Sequence, residues 1–326
     1  MRKRKKQSGF LDKLSNIVLV FLFIVITTWG IQVTNAASST GLTFAHVSDV
    51  HYASNGTNNL YRLTKESPEI FKDVISQINS TPNVDFVMFT GDQINTPYEK
   101  ELRSFVEVAN TLKYPWYATL GNHDTCVGGY LTKALYNNIL RTNNKNFKFN
   151  KMYYSFTPKT GYKVIVLDTI IDDRVTANGY IDEAQLKWLD KQLKSAKDST
   201  ILIFTHVPVI EPFSSPNHKL LNSDELLEVL GKYKNPMGIF TGHYHTTKIV
   251  QKDNMLFVST PALVSYPNSF RMVNVSNQKK KVVFDITFKE TNLKSLQKKA
   301  KLMVFSSKLY YGESKDRTHT YEIERL

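Results

Sequence analysis

Two kinds of apolar pattern alternate along the chain. Short apolar runs rich in β-branched and aromatic residues end at polar residues, which is typical of buried strands. Between them, apolar residues recur every three or four positions, which indicates helices with one buried face. Strands are predicted at residues 42–47, 84–90, 116–120, 201–205 and 237–241, and helices at 66–79, 99–112, 181–196 and 223–233. This alternation predicts a layered α/β protein.

A block rich in Asp, His and Asn stands at the end of each of these predicted strands. The blocks are Ser48-Asp49-Val50-His51, Gly91-Asp92-Gln93, Gly121-Asn122-His123-Asp124, Thr205-His206 and Gly242-His243-Tyr244-His245. In layered α/β proteins, catalytic and ligand-binding loops gather at the carboxyl ends of the strands. We therefore expect the blocks to meet at one functional site.

The residue types in these blocks suit a pair of metal ions. Carboxylate oxygens and imidazole nitrogens together favour Mn, Fe or Zn, whereas an all-oxygen set favours Mg or Ca and thiolates favour softer ions. A carboxylate can bridge two ions about 3.5–4 Å apart, and such a pair can bind a phosphoryl oxygen and activate a water. Asn122 fits as a neutral ligand, and the neighbouring His123 can instead face a leaving group.

The ordered blocks D-x-H, G-D, G-N-H-D, a single His after a strand, and G-H-x-H resemble the calcineurin-like metallophosphoesterase superfamily. The resemblance runs from Asp49 to His245 and implies two metal sites that share Asp92 as a bridge. The first site would hold Asp49, His51, Asp92 and His245, and the second would hold Asp92, Asn122, His206 and His243.

The same resemblance implies roles for the last two residues of G-N-H-D. His123 would protonate or hydrogen-bond the leaving oxygen, and Asp124 would orient His123. A carboxylate partner raises the proton affinity of an imidazole and fixes its tautomer, so the pairing makes physical sense.

Differences between this sequence and the motifs of neighbouring families restrict the resemblance to one branch of the superfamily. Gln93-Ile94-Asn95 follows Asp92 where purple acid phosphatases have a Tyr ligand, and the third block ends in Asp124 rather than Glu. The Arg-containing signatures of the large Ser/Thr protein phosphatases are missing around Gly91 and Gly121. The chain is most similar to the smaller bacterial branch that includes class III cyclic-nucleotide phosphodiesterases.

The fold implied by this family is a four-layer α/β/β/α sandwich. A late β-rich stretch, at residues 246–250, 255–258, 270–275 and 281–288, is consistent with its second sheet. The catalytic domain is assigned to residues 38–290, and residues 291–326 form a C-terminal extension of unknown role.

The N-terminus predicts export. A basic leader precedes an apolar run at residues 17–31 and the small residues of 34–37, which together form a signal peptide or an N-terminal membrane anchor at 1–37. The apolar run is shorter than the ~20 residues that span a bilayer comfortably, which favours cleavage over a tether. The expected location is outside the cytoplasm: secreted, periplasmic or at the cell surface.

The net charge, the basic runs and the single cysteine exclude some classes of protein but do not identify the substrate. The net charge of +13 falls to about +8 without the leader and suits anionic substrates such as phosphate esters. The basic runs lack interleaved aromatic residues, so no extended nucleic-acid surface is expected. The single Cys126 allows no internal disulfide. The oligomeric state is left open.

The resulting hypothesis is that the chain is an exported dinuclear-metal hydrolase of phosphate esters. Within that class, a phosphodiesterase acting on a small nucleotide-like substrate is the preferred function. A phosphomonoesterase of the same fold and a non-catalytic metal-binding module are the alternatives. Specificity is assigned to loops at 52–63, 126–149 and 208–219, where an aromatic side chain either stacks on a nucleobase or packs the loop. The aromatic candidates are Tyr52, Phe213 and Tyr244. Of the remaining histidines, His46 is predicted in the core, and His218 and His319 at the surface, with His218 within reach of the site.

Overall fold

The computed structural model describes residues 41–59, 61–125 and 130–325. The predicted leader and anchor at 1–37 and the single Cys126 lie outside the described residues. Among the residues that are described, no helix combines the length and the apolar character needed to cross a bilayer.

All of the predicted strands and helices are present, but the strands at Tyr154–Phe156 and Tyr162–Val166 were not predicted. In chain order the strands are β1 (Leu42–Val47), β2 (Phe86–Thr90), β3 (Trp116–Thr119), β4 (Tyr154–Phe156), β5 (Tyr162–Val166), β6 (Thr200–Phe204), β7 (Met237–Thr241), β8 (Lys248–Lys252), β9 (Met255–Ser259), β10 (Ser269–Asn277), β11 (Lys281–Glu290) and β12 (His319–Glu324). The helices are α1 (Ser67–Ser80), α2 (Glu99–Ala109), α3 (Asn122–Thr125), α4 (Lys133–Asn143), α5 (Glu183–Ser195), α6 (Ser223–Gly231), α7 (Lys294–Met303), α8 (Ser307–Tyr311) and α9 (Ser314–Arg317).

The strands form two mixed sheets. The first has the order β12-β11-β10-β1-β2-β3, and the second has the order β4-β5-β6-β7-β9-β8. In the first sheet β1, β2 and β3 run parallel, and in the second β5, β6, β7 and β9 run parallel. The parallel strands of each sheet therefore end on one edge.

The two sheets pack face to face through aromatic side chains. The ring of Phe44 on β1 lies 5.4 Å from Phe204 on β6 and 5.1 Å from Phe240 on β7, in edge-to-face contact. Alternate residues of a strand face opposite sides. On β2, Phe89 thus faces away from the second sheet and contacts Phe71 of α1 and Phe105 of α2. The predicted four-layer α/β/β/α sandwich is confirmed.

Local sequence explains where helices begin. Asp182 accepts a hydrogen bond from the backbone N–H of Gln185 at 2.7 Å and caps α5, as its position before the apolar pattern predicts. Thr132 caps α4 in the same way through the N–H of Leu135. This helix occupies part of the segment 126–149 that was predicted to be a loop, so that prediction is wrong for α4.

The late β-rich stretch does not form a sheet of its own. β8 and β9 join the second sheet, as predicted, but β10 and β11 lie in the first sheet, where β10 pairs antiparallel with β1. Assigning all of this stretch to the second sheet is therefore wrong. An apolar alternation predicts a strand but not the strand with which it pairs. Here the chain crosses from the second sheet to the first after β9.

The C-terminal residues extend the first sheet. β12 pairs antiparallel with β11, and α9 packs on β8 of the second sheet. Arg271 of β10 is fully buried and donates to the backbone oxygen of Arg317 at the end of α9. The side-chain hydroxyls of Thr246 and Thr247 donate to the carbonyls of Leu309 and Tyr310, which fixes α8 beside the last histidine block.

Candidate metal centre and active site

The polar blocks meet at one edge of the sandwich. Asp49 and His51 follow β1, Asp92 follows β2, and Asn122 follows β3, all in the first sheet. In the second sheet, His206 follows β6, and His243 and His245 follow β7. Neighbouring loops keep pairing beyond the strands, since the N–H of His51 donates to the carbonyl of Asp92 at 2.9 Å.

Left-handed backbone turns aim these side chains inward. Non-glycine residues rarely adopt a positive φ, and where they do, the conformation costs of order 1–3 kcal/mol and clusters at functional sites. Most positive-φ residues of the described chain other than glycine belong to the polar blocks: Asp49 (51°), His51 (42°), Asp92 (51°), His243 (71°) and His245 (54°). The surrounding fold therefore holds the loops in strained conformations that suit a ligand-binding centre.

Gly242 allows the loops of the two sheets to touch. A Cβ at this position would collide with the hydroxyl of Ser48 and the carboxylate of Asp49. The next residue, His243, donates its backbone N–H to Asp49 Oδ2 at 3.0 Å. Only glycine therefore lets the β7 loop approach the β1 loop this closely.

The first predicted ligand set is assembled. The side-chain ligand atoms of Asp49, His51, Asp92 and His245 all lie within 4.8 Å of one another and are buried. His245 Nε2 lies 3.2 Å from Asp49 Oδ1, and His51 Nε2 lies 3.3 Å from His245 Nε2. This group can hold one metal ion.

The second predicted set lies on the other side of Asp92. His206 Nε2 is 3.1 Å from Asn122 Oδ1 and 3.1 Å from His243 Nδ1. Asp92 joins the two sets, because its Oδ2 lies 3.5 Å from His51 Nε2 and its Oδ1 lies 3.5 Å from His206 Nε2. One carboxylate thus faces both groups, the arrangement expected of a bridge.

The donor set fits a cation. His206 Nδ1 lies 2.8 Å from the carbonyl oxygen of Thr90, which can only accept, so Nδ1 carries the proton and Nε2 presents a lone pair. That lone pair faces the oxygen atoms of Asp92 and Asn122. Convergent acceptors without a proton between them repel one another, and a divalent ion would remove that repulsion.

Burial tunes the ionisation of these groups toward metal binding. Burial, together with neighbouring positive groups, holds the pKa of both His51 and His243 well below the usual range, which favours neutral imidazole. Burial alone would raise the pKa of Asp49, but His245, His206 and the Ser48 hydroxyl outweigh it and lower that pKa. Neutral imidazole and ionised carboxylate are the forms that bind metal ions.

His123 lies at the centre, but Asp124 does not orient it. The Asp124 carboxylate accepts hydrogen bonds from the backbone N–H groups of Gly121 (2.8 Å) and Ile94 (3.1 Å), tying the β3 loop to the β2 loop. The ring of His123 is fixed instead by the carbonyl of Asn95, 2.9 Å from Nδ1. The predicted His123–Asp124 pairing is therefore wrong. Burial and the charge of Asp92 raise the pKa of Asp124.

A cavity of about 310 Å³ opens above these ligands. Asp92, Asn122, His123, His243 and His245 form its polar part. Most of its other walls are aromatic or basic side chains, contributed by three loops and by α8: Tyr61, Arg62, Phe213, His218, Tyr244 and Tyr310. The cavity can thus hold a phosphate against the polar part and a planar group against the walls.

The structure decides several of the secondary predictions. Tyr52 is buried against Phe71 and Phe105 and only packs its loop, whereas Phe213 and Tyr244 line the cavity with their rings 4.9 Å apart. The remaining histidines are where they were predicted: His46 is buried, His319 is exposed, and His218 is an exposed loop residue whose ring lies 5.3 Å from His243.

Several cavity residues were not singled out from the sequence, among them Arg62 and Tyr310. Arg62 lies in the predicted specificity loop 52–63, but no motif distinguished it from the other arginines. Tyr310 comes from the C-terminal extension, which had no assigned role. The hydrogen bonds of Thr246 and Thr247 to α8 hold that tyrosine beside the cavity.

Comparisons with known proteins agree with this geometry. The sequence model of the calcineurin-like phosphoesterases matches residues 42–247. The glycerophosphodiester phosphodiesterase GpdQ of Enterobacter lignolyticus is 26% identical over 235 residues, covering 68% of this chain and 77% of that protein. A 3',5'-cyclic-nucleotide phosphodiesterase of Nostoc sp. is 24% identical over 224 residues, covering 68% and 78%. A dimetal phosphatase from Danio rerio shares the fold, with a TM-score of 0.60 at 17% identity, covering 77% of this chain and 99% of that one.

Proposed function

Because the chain belongs to the calcineurin-like phosphoesterase family, whose matched region spans residues 42–247, we propose that it is an exported phosphodiesterase for small nucleotide-like esters. The coarser statement, that it is a metal-dependent phosphoester hydrolase, follows from the family and from its phosphodiesterase relatives. The observation that carries the proposal is the pair of ligand groups on either side of Asp92, beneath a cavity with aromatic walls.

We assign the two ligand groups to two divalent ions, with Mn, Fe or Zn favoured by the mixture of carboxylate and imidazole. The first ion is assigned to Asp49, His51, Asp92 and His245, and the second to Asp92, Asn122, His206 and His243. When bound, such ions polarise a phosphoryl oxygen and lower the pKa of a water.

In this proposal His123 acts on the leaving group. The Asn95 carbonyl holds Nδ1, so Nε2 is the nitrogen that can reach an ester oxygen from the wall of the cavity. Nε2 donates to that oxygen when the ring carries its second proton, which stabilises the departing alkoxide.

The aromatic walls favour a planar group on the ester. Tyr61 and Phe213 are both partly exposed beside the cavity, and Tyr310 is contributed by α8. Stacking of a base on an aromatic ring is tolerant of base identity and contributes about 1–3 kcal/mol. The Nostoc relative is named for cyclic nucleotides, which supports the same substrate class.

Metal content and ester preference test the proposal directly. The purified full chain is expected to hold two divalent ions and, with added Mn, to hydrolyse bis(p-nitrophenyl) phosphate faster than p-nitrophenyl phosphate. The reverse preference would make it a phosphomonoesterase. Bound metal without turnover of either ester would leave the non-catalytic module as the explanation.

The bridging position of Asp92 gives a sharper test of the metal assignment. Asp92→Ala should remove both ions, because its two carboxylate oxygens face the two ligand groups. His51→Ala should mainly weaken one, because its ring lies in only one group. Metal analysis of both variants measures this, and two ions retained by Asp92→Ala would contradict the bridge.

Export is the remaining part of the proposal. The basic leader and the apolar run at residues 17–31 support it. Cell fractionation is expected to find the protein beyond the cytoplasmic membrane, released or tethered. Full-length protein recovered from the cytosol would refute this part alone.

A further inference from the structure

Arg62 points its side chain into the centre of the active site. Its Nη1 lies 3.3 Å from His123 Nε2, and 3.2 Å and 3.4 Å from the two ring nitrogens of His51. Its backbone is tied down on both sides, since the N–H of Arg62 donates to Asn59 Oδ1 and the N–H of Leu63 donates to the carbonyl of Val264. The guanidinium therefore lies between the first ligand group, at His51, and the ring of His123.

The charge of Arg62 has no anionic partner in the part of the chain that the structure describes. The nearby carboxylates of Asp49 and Asp92 face histidines, and no ion pair within residues 41–59, 61–125 and 130–325 includes Arg62. Its Nε is buried and makes no hydrogen bond. A half-buried guanidinium with an unused donor is costly unless an anion completes the site.

We propose that Arg62 binds a non-bridging oxygen of the substrate phosphate. A guanidinium presents several N–H donors in a fixed plane that matches phosphate oxygens. Metal ions bound nearby would repel Arg62, and a phosphate beside them would offset that repulsion. This inference rests on the proposed function, and it adds a phosphate-binding residue that lies outside the polar motifs.

The competing explanation is purely structural. Arg62 contacts His51 and His123, so it would then act by holding those rings in place. The two explanations differ in what the residue's loss changes. A phosphate-binding role affects the affinity for phosphate itself, whereas a ring-positioning role affects metal retention or kcat.

The test measures binding of inorganic phosphate to the Mn-loaded full chain by calorimetry, alongside KM and kcat for bis(p-nitrophenyl) phosphate. Arg62→Met should weaken phosphate binding and raise KM by about 10- to 100-fold, the value of a charge-assisted hydrogen bond. Arg62→Lys should recover part of the loss, because it restores charge without the planar fork. Arg103→Met is the matched control, since Arg103 is an exposed helix residue paired with Glu99, and it should change neither quantity.

Each result decides the question. Unchanged phosphate affinity in Arg62→Met, or loss of metal in that variant, would overturn the proposal and assign Arg62 to ring positioning. Phosphate binding needs no turnover, so it still reports on Arg62 if the wild-type chain hydrolyses neither aryl phosphate. In that case the proposed function fails and the phosphate-binding role is judged separately.

Discussion

His123 and His206 share the same kind of hydrogen bond at Nδ1 but differ in what the other ring nitrogen, Nε2, faces. The ring of His206 is fixed by a carbonyl at Nδ1 and turns Nε2 toward Asp92 and Asn122. The ring of His123 is also fixed by a carbonyl at Nδ1, but its Nε2 faces the cavity wall at Arg62. The same chemistry therefore produces a candidate ligand in one place and a candidate proton donor in the other.

This difference predicts that the loss of activity on removing His123 depends on the leaving group of the ester. His123→Ala should lower kcat on an alkyl or ribosyl phosphodiester by about 10²–10⁴-fold, the usual value of general acid help. The loss on a p-nitrophenyl ester should be much smaller, because that leaving group needs no proton. Steady-state kinetics on both esters measures this, and metal analysis should find both ions retained.

His319→Ala is the control for this variant, because that histidine is exposed on the edge strand β12 and does not line the cavity. Equal losses on the two esters with metal intact would show that His123 positions the phosphate instead. Loss of metal would make it a ligand.

At the residue scale, the sequence predicts which side chains gather but not all of their contacts. Asp49, Asp92 and His206 were predictable, because each stands at the end of an apolar run and the parallel strands end at one edge. The partners of Asp124 were not predictable. They are backbone N–H groups of the loops after β2 and β3, and the folded path of those loops leaves no periodic pattern in the sequence.

At the scale of elements, the approach of the β7 loop to the β1 loop leaves no space for a side chain at Gly242. Gly242→Ala should displace Asp49, because the added methyl has no space beside its carboxylate and the Ser48 hydroxyl. We expect loss of metal and a decrease of about 1–3 kcal/mol in the free energy of unfolding, typical of overpacking. Metal analysis and urea denaturation measure the two effects.

Gly231→Ala is the matched control, because a Cβ at the end of α6 meets nothing within 4 Å. It should retain metal and keep or slightly raise stability. A Gly242→Ala protein with full metal content would show that the two loops can move apart without breaking the centre.

Because α8 lies beside the cavity, we expect the C-terminal extension to take part in substrate binding. Tyr310 lines the cavity, so Tyr310→Ala should raise KM for a nucleotide-like diester by about 5- to 100-fold if its ring stacks on the base. Binding of inorganic phosphate should not change, because phosphate has no base.

Tyr311→Ala serves as the control on the same helix, since Tyr311 packs near Tyr266 and Arg317 rather than in the cavity. An equal rise of KM in both variants would attribute the effect to a displaced α8. A rise in neither would remove Tyr310 from the substrate site.

The elements themselves were predicted unevenly, for physical reasons. Strands β1 and β7 match their predicted bounds, because both are buried apolar runs bounded by glycine, proline or serine. The placement of β10 and β11 in the first sheet was not predictable, since it depends on pairing with β1, more than two hundred residues away in sequence. β12 is a mostly exposed edge strand with weak apolar alternation, and it was missed.

At the scale of the whole molecule, metal binding should stabilise the fold. The centre buries the carboxylates of Asp49 and Asp92 beside histidines from both sheets, so an ion that binds only the folded state raises its stability. Removing metal with a chelator should lower the melting temperature, and added Mn should restore it. Asp92→Ala should melt at the same temperature with and without chelator, and a chelator effect in that variant would place the stabilising ion elsewhere.

The centre takes ligands from both sheets, and His51 and His245, whose ring nitrogens lie 3.3 Å apart, are separated by 194 positions in the chain. A chain that has not yet brought the two sheets together cannot present either complete ligand set, so metal capture is coupled to the packing of the sheets. First-row ions compete for such a site largely by their local supply. The cellular compartment in which this chain completes its fold should therefore select the metal with which the enzyme works.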